Sequence, residues 1–354
     1  MNVLMVGNDL SVQGGITSVM TQLLEYNWEK QNIEMKYIPT YVEAGMLRKF
    51  VFFAKAYRRI NQEIRQNKPD LVHIHMSYRG SFFRKYLIHK LCQKNRIPDV
   101  VHLHGSEFAQ WYAASGHALQ KRIQSMLREC SLCIVLGEKW NRTIKKIEPA
   151  ATTMIVRNAV HIPHETVAWR IPFTILFLGA LIPRKGVADL LQALQQIKGM
   201  HGLEHIRLVI AGTGAEEGAL RARSAQLSIG PYVTFAGWVD GEAKKKLLRE
   251  CQMLVLPSYH EGLPVAILEA MSYGMPIVAT DVGDISAAVH EGENGFLVRP
   301  GDIDGLADRM YALASNQGLF DRMCRRSKAI VREFSDEAYG EQMVKAYVKG
   351  MTNI

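Results

Sequence analysis

Long apolar runs are missing from this chain. No stretch reaches the roughly 20 residues that a bilayer-spanning helix needs, so the sequence offers no helical membrane span. The opening residues Met1 to Asp9 carry no basic start and no cleavage site, which points away from export. Cysteine is scarce, at five in 354 residues. That is too few for a disulfide framework in a chain of this size, and a reducing cytosol is the expected setting. Cys130 and Cys133 form a Cys-x-x-Cys, but they sit in CSLCIVLG, which reads as a buried strand, so core packing is expected rather than redox or metal chemistry. Neither Gly-x-Gly-x-x-Gly nor a Walker phosphate loop is present, which removes the standard signatures of dinucleotide and NTP binding. No repeat of 20 to 50 residues and no low-complexity tract occurs, which argues against a solenoid or a disordered tail.

What remains is the composition of a globular protein, 48% hydrophobic and 22% charged. The length suits two domains better than one core. Net charge is +9, and it is unevenly placed: residues 1–170 hold 24 Lys and Arg against 13 Asp and Glu, and the remainder 19 against 21. Two stretches concentrate it, Arg48 to Arg59 (RKFVFFAKAYRR) and Tyr78 to Lys90 (YRGSFFRKYLIHK). Both interleave cations with aromatic and aliphatic residues at roughly helical spacing. The pattern suits an anionic membrane surface or acceptor, and equally a helix with one face in the core and the other in water.

Short apolar runs alternate with helical stretches. NVLMVG, LVHIHM, DVVHLHG and LCIVLG come first, then FTILFLG, IRLVIAG, YVTFAG, QMLVLPS and PIVATD. Such alternation implies parallel sheets covered on both faces. Residues 161–172, HIPHETVAWRIP, interrupt it with two prolines and read as a linker. The expected fold is α/β, two doubly wound units with ligands bound beyond the carboxyl ends of the strands, in a cleft. Domain bounds are placed at 1–165, 166–334 and a closing helix at 335–354.

Several residues stand out at strand ends. Gly14-Gly15 follows the first strand and its loop and precedes a helix; glycine there permits backbone approach to a phosphate, or makes an ordinary tight turn. Arg184 and Lys185 follow FTILFLG just before a helix, where cations can neutralise phosphate oxygens. His73, His75, His102 and His104 sit at i and i+2 spacing, one face of each strand. No fourth convergent ligand is placed by sequence, so no zinc site is expected. His104 differs in lying at its strand's carboxyl end, on the cleft side. Asp302-Ile303-Asp304 is a literal Asp-x-Asp, but its setting reads as a helix N-cap. Glu261 and Glu269 flank Gly262-Leu263-Pro264, where a loop should give way to a helix beginning in its first turn with Pro264, reaching Tyr273 and stopping at Gly274. The amino end of that helix is an anion site, so the pattern calls for an anionic ligand that also needs two carboxylates.

Together FLGALIPRKG, LVIAGTG, VTFAGWV and the block from LPSYHEGLPVAILEA to GFLVRPGD resemble the family 4 glycosyltransferases of GT-B architecture, as found among bacterial enzymes of surface polysaccharide synthesis. VQGGITSVM and VHLHGSE match more loosely in the first half. The resemblance implies a retaining, metal-independent transfer from a nucleoside diphosphate sugar, a UDP-sugar, to a saccharide or lipid-linked saccharide, with no cofactor. Glu269 would hold the ribose hydroxyls and Glu261 the sugar hydroxyls, with the amides around Gly262 and Leu263 facing sugar and diphosphate. Gly15, Arg184 and Lys185 would complete the diphosphate site. His104 would line the sugar pocket, the backbone at Trp238 and Val239 would meet the base, and the final helix would cross back to the first domain. One departure stands at Ala180, where relatives carry Arg. A cytoplasmic enzyme peripheral on the inner face of the plasma membrane follows from the same resemblance and the basic first half. The alternatives are a nucleotide-sugar epimerase or hydrolase on the same scaffold, or a non-catalytic sugar-nucleotide or nucleic-acid binder. Nucleic acid is not expected as a partner, since no recognition module is evident and the paired glutamates would repel a phosphate backbone.

Overall fold

The computed structural model describes residues 1–105 and 107–352. Two compact units divide the chain. The first comprises residues 1–158 with the C-terminal helix, and the second Ala159–Ser335; the sequence reading had put these joints at 165/166 and 334/335.

Unit 1 is a six-stranded, all-parallel sheet: β1 (Asn2–Gly7), β2 (Glu34–Pro39), β3 (Leu71–Met76), β4 (Asp99–Leu103), β5 (Leu132–Val135) and β6 (Thr153–Ile155), in the order β2-β1-β3-β4-β5-β6. Its crossovers carry α1 (Gly15–Glu25), α2 (Met46–Gln66), α3 (Gly80–Asn95), α4 (Phe108–Ala113), α5 (His117–Glu129) and α6 (Glu138–Ile147). The central strands β3, β4 and β5 are buried at every residue, as strands covered on both faces must be. Cys130 and Cys133 lie in this core as free thiols, and burial pushes the Cys133 thiol up to about 12, which makes it unreactive at neutral pH.

Unit 2 repeats the plan with β7 (Phe173–Leu178), β8 (Ile206–Ala211), β9 (Val233–Gly237), β10 (Met253–Leu256), β11 (Ile277–Thr280) and β12 (Gly295–Val298). The order is β12-β11-β10-β7-β8-β9, again all parallel. Helices α7 (Val187–His201), α8 (Glu217–Gln226), α9 (Gly241–Glu250), α10 (Val265–Ser272), α11 (Ile303–Ser315) and α12 (Gln317–Ile330) cover it.

Helix α13 (Asp336–Thr352) belongs to unit 1, where it packs on β3, β4 and β5. Glycine makes the close approach possible: a Cβ on Gly340 would lie 2.1 Å from the Tyr26 ring, and one on Gly350 would lie 2.7 Å from Val100. Tyr347 is fully buried in this seam, 3.0 Å from His73 Nδ1 through its hydroxyl.

In a doubly wound sheet the loops diverge where strand order reverses, which opens a crevice at the carboxyl ends of two adjacent strands. Unit 1 reverses between β1 and β3, and unit 2 between β7 and β10.

Candidate active site

At the reversal in unit 2 the loop after β7 meets the loop after β10. The β7 loop passes Ala180, exposed and uncharged, and turns through Pro183–Lys185. Gly186 ends the turn at φ 67, and a Cβ there would stand 2.1 Å from the Pro257 carbonyl oxygen, so only glycine permits the two loops to touch. The contact then continues residue by residue. The Tyr259 amide donates to the Arg184 carbonyl at 2.8 Å, and Arg184 Nη1 donates to the His260 carbonyl at 3.0 Å. Lys185 Nζ is ion-paired with Glu261 Oε1, both side chains nearly withdrawn from water at 13% and 8% exposure.

A third loop closes on the main chain of the same residue. Gly283, at φ 57, would put a Cβ 2.2 Å from the Glu261 carbonyl oxygen. The next amide, on Asp284, donates to the Gly262 carbonyl at 3.0 Å. Residues 261–263 are thus held between two loops, directly ahead of α10. Leu263 turns its side chain into the core, 2% exposed, so only its main chain can face a ligand. Pro264 stands immediately before the helix rather than in its first turn, with φ −67 and its carbonyl accepting from the Ile267 amide at 3.1 Å. The helix ends at Ser272, with Tyr273 as its cap and Gly274 left-handed at φ 81.

Glu269 lies five residues into α10, and its Oε1 accepts from Lys244 Nζ on α9 at 2.5 Å. Its Oε2 has no partner among the described residues. Lys244 escaped the sequence reading because it is one lysine in the run Lys244-Lys245-Lys246, and nothing local says which of the three faces the neighbouring helix. Lys245, by contrast, pairs with Glu242 on its own helix. The stretch from β9 into α9 carries Trp238, 43% exposed with its indole donating to Asp240 at 3.2 Å, and Val239, packed partly against the core.

Unit 2 therefore assembles one cluster: Arg184, Lys185, Glu261 and Gly262 at the crevice, and Glu269 with Lys244 along α10. Each carboxylate in it is paired with a lysine, and Arg184, bonded to a backbone carbonyl, adds a third cation. Asp302 is an N-cap, its Oδ1 accepting from the Gly305 amide at 2.9 Å, while Asp304 Oδ1 accepts from Gln196 at 2.7 Å, so the Asp-x-Asp is engaged in structure.

The other two expected site residues lie in unit 1. Gly15 opens α1, exposed, with nothing within 4 Å of a Cβ position. His104 lies just past β4 and ends a ladder of four imidazoles, of which His73, His75 and His102 are buried and His104 is half-buried. His75 Nδ1 is 2.9 Å from His104 Nε2 and His73 Nε2 is 3.3 Å from His102 Nδ1, with the rings of successive members stacked. Burial drives the His73 and His104 imidazoles down to about 3, and those of His75 and His102 well below the usual range. All four are neutral at physiological pH. Among the described residues, His73, His75 and His102 are the group whose nitrogens come close enough together, within 4.8 Å, to consider for a metal ion. Bonds to Tyr347, to His104 and between His73 and His102 occupy four of the six ring nitrogens, and Nε2 of His75 and Nε2 of His102 are buried without a hydrogen-bond partner.

Comparison with known proteins agrees with this organisation. Residues 22–162 match the Glycosyltransferase Family 4 profile and residues 172–316 the profile of Glycosyl transferases group 1. Over 180 residues, half of the chain, the sequence is 32% identical to a phosphatidyl-myo-inositol mannosyltransferase of Mycobacterium leprae, covering 47% of that protein. Over 165 residues, 46% of each chain, it is 30% identical to the lipopolysaccharide core biosynthesis glycosyltransferase LpsE of Rhizobium meliloti. The chain thus spans about half the length of these curated relatives. Anabaena HepE, solved with UDP, superposes with a TM-score of 0.77 over 98% of this chain and 99% of its own, at 18% identity, which speaks for the fold alone. With two parallel doubly wound sheets and both family profiles falling on them in order, the chain belongs to family 4 of the glycosyltransferases and has the GT-B fold.

Proposed function

We propose that this protein transfers a sugar, with retention at the anomeric carbon, from a UDP-sugar to a saccharide or lipid-linked saccharide acceptor in the synthesis of a cell-surface polysaccharide. The observation that carries this reading is the Lys185–Glu261 pair, fixed with Arg184 at the strand reversal of unit 2, immediately ahead of α10. Departure of a nucleoside diphosphate requires charge stabilisation that is in place before the bond breaks. Lys185, Arg184 and the amides leading into α10 supply it in this reading, without a metal ion. Arg184 takes the place of the cation that Ala180 lacks. Glu261 holds Lys185 in position while the donor site is empty, and turns to the sugar hydroxyls when phosphate oxygens take over the lysine. Glu269 offers its unpartnered Oε2 to the ribose hydroxyls, while Lys244 fixes the other oxygen. Val239 and the backbone beside Trp238 receive the base, and this reading assigns His104, held neutral, to a sugar hydroxyl and Gly15 to the diphosphate. In the same reading the leaving phosphate accepts the proton of the attacking hydroxyl.

The acceptor side follows from unit 1. The first turn of α2 exposes Met46 at 89%, Leu47 at 78% and Phe50 at 70%, and α3 exposes Phe83 and Leu87, all among the basic residues of those helices. Apolar side chains rimmed by Lys and Arg suit insertion at an anionic bilayer surface. No helix among the described residues is long and apolar enough to cross a membrane, so peripheral contact is the form proposed. The names of the mannosyltransferase and LpsE relatives support an acceptor of this kind.

The test is release of UDP from a panel of UDP-sugars, with and without a lipid-linked saccharide fraction, followed by NMR of the product's anomeric proton. Acceptor-dependent release with retained configuration is expected, and a large loss, about 100-fold, in Lys185→Ala. Release that ignores the acceptor would make the protein a hydrolase, and inversion would overturn the mechanism.

A further inference from the structure

Unit 1 has its own strand reversal, between β1 and β3, and a cavity of about 290 Å³ opens there. Its walls come from the loops after three strands, with Asn8 after β1, Tyr41 after β2 and Ser77 after β3, and from the first turns of α3, with Ser81 and Arg84. Three cations gather around it. The Arg84 guanidinium lies 4.6 Å from the centre of the Tyr41 ring and the Lys49 ammonium 5.2 Å from it. Arg84 Nε is buried and has no hydrogen-bond partner. Lys85, next to Arg84 on α3, is fully buried: its ammonium donates to Thr40 Oγ1, which donates to the Gly7 carbonyl at 2.6 Å. Thr40 and Gly7 are the residues next to Tyr41 and Asn8 of the walls. Burial, then the like charge of Arg84, brings Lys85 down to about 7.

Buried cations ordinarily have carboxylate partners, because an unpaired charge out of water is expensive. Neither Arg84 nor Lys85 has one among the described residues. The acids nearby are committed elsewhere. Asp9 accepts from the amide and hydroxyl of Ser11 at 3.0 and 2.7 Å, and Glu107 accepts from the Tyr78 hydroxyl. The Ser81 hydroxyl accepts from the Ser77 amide at 3.1 Å, which leaves its own proton to donate. A cavity at a strand reversal, lined by hydroxyls and served by cations that lack counter-charges, is built for an anion.

We propose that this cavity binds a phosphoryl group carried by the acceptor. The acceptor role rests on the transferase reading above, and the anion binding rests on Arg84 and Lys85. A guanidinium offers two parallel donors to such a group and the hydroxyls of Ser81 and Tyr41 offer single ones. The phosphoryl group can come from a soluble sugar phosphate or from a lipid headgroup.

Calorimetric titration with methyl phosphate, with UDP held in excess to fill the donor site, tests this, using the wild-type chain, Arg84→Gln, Lys85→Met and the exposed-surface control Lys121→Gln, each first shown to be folded by circular dichroism. Binding is expected to weaken at least 10-fold in Arg84→Gln and in Lys85→Met, and to stay unchanged in Lys121→Gln. Unchanged affinity in Arg84→Gln, or an equal loss in Lys121→Gln, would overturn the assignment. Adding vesicles of phosphatidylcholine with phosphatidic acid separates the sources. Displacement of methyl phosphate identifies a lipid headgroup, its absence a soluble ligand, and the cavity stands in both. Should the chain fail to bind UDP while Arg84-dependent phosphate binding persists, the acceptor role falls and the anion site remains.

Discussion

Breaking the link between Lys185 and Glu261 gives a measurable consequence whose size the structure sets. Removing one partner of a fully buried ion pair costs about 3–5 kcal/mol, mainly because the other charge is stranded. Here the two side chains retain 13% and 8% of their exposure, and the amino end of α10 steadies a lone carboxylate by about 0.3–1 kcal/mol. The expected loss is therefore smaller, about 2–3 kcal/mol for Lys185→Met. Glu261→Gln keeps an oxygen to accept from the lysine and should cost about 1–2 kcal/mol. The double variant strands neither charge, so its loss should fall short of the sum, by a coupling of about 1–2 kcal/mol as found for contacting residues. Urea unfolding of the four proteins, read where unit 2 unfolds, supplies the cycle. A coupling below about 0.5 kcal/mol would show that the pair is not fixed in solution, and that Lys185 is not held ready for a ligand.

Two further outcomes follow from the geometry. Gly283→Ala drives a methyl group into the Glu261 carbonyl oxygen at a left-handed φ of 57; the site loop must shift, stability should fall by roughly 2–4 kcal/mol, and UDP affinity should fall with it in a filter-binding assay. The histidine ladder makes unit 1 acid-sensitive. His73 and His104 are held down to about 3 in the folded chain against about 6.5 when unfolded, so below pH 6.5 the unfolded state takes up protons that the folded state refuses. Their contribution is intact above pH 6.5 and is lost as pH falls towards 3, about 2 kcal/mol for each by pH 5. Denaturant midpoints measured from pH 7.5 to 5 should show it, and a flat profile would mean that the imidazoles charge inside the fold.

The central strands were legible because a fully buried parallel strand is written as a continuous apolar run, and LVHIHM and QMLVLPS are such runs. Strands β2, β6 and β12 were not. They lie at sheet edges, β6 and β12 are only three and four residues long, and EMKYIP of β2 buries a single residue outright. Edge strands this short or this exposed carry too little apolar pattern to be seen, whereas the five-residue edge strand β9 was legible as YVTFAG. In the site, Arg184, Lys185 and Glu261 could be named because each stands beside a turn or helix start that announces itself through Gly or Pro, and Glu269 because its spacing from Glu261 fits the family resemblance. Lys244 could not, since its role is set by the packing of α9 on α10. The cavity of unit 1 stayed hidden for the same reason: Arg84 and Lys85 read as part of a basic amphipathic helix, and only the folded chain shows that they turn inward without an acid to meet them.

Calorimetric titration of UDP into the wild-type chain and Glu269→Ala bears most directly on the central claim, that unit 2 holds a nucleoside diphosphate between its cations and this carboxylate. Loss of hydrogen bonds from a charged group to the ribose hydroxyls is worth about 1.5–3 kcal/mol, so affinity should drop roughly 10- to 100-fold in the variant. Equal affinity in the two proteins, or no binding by the wild type, would contradict it.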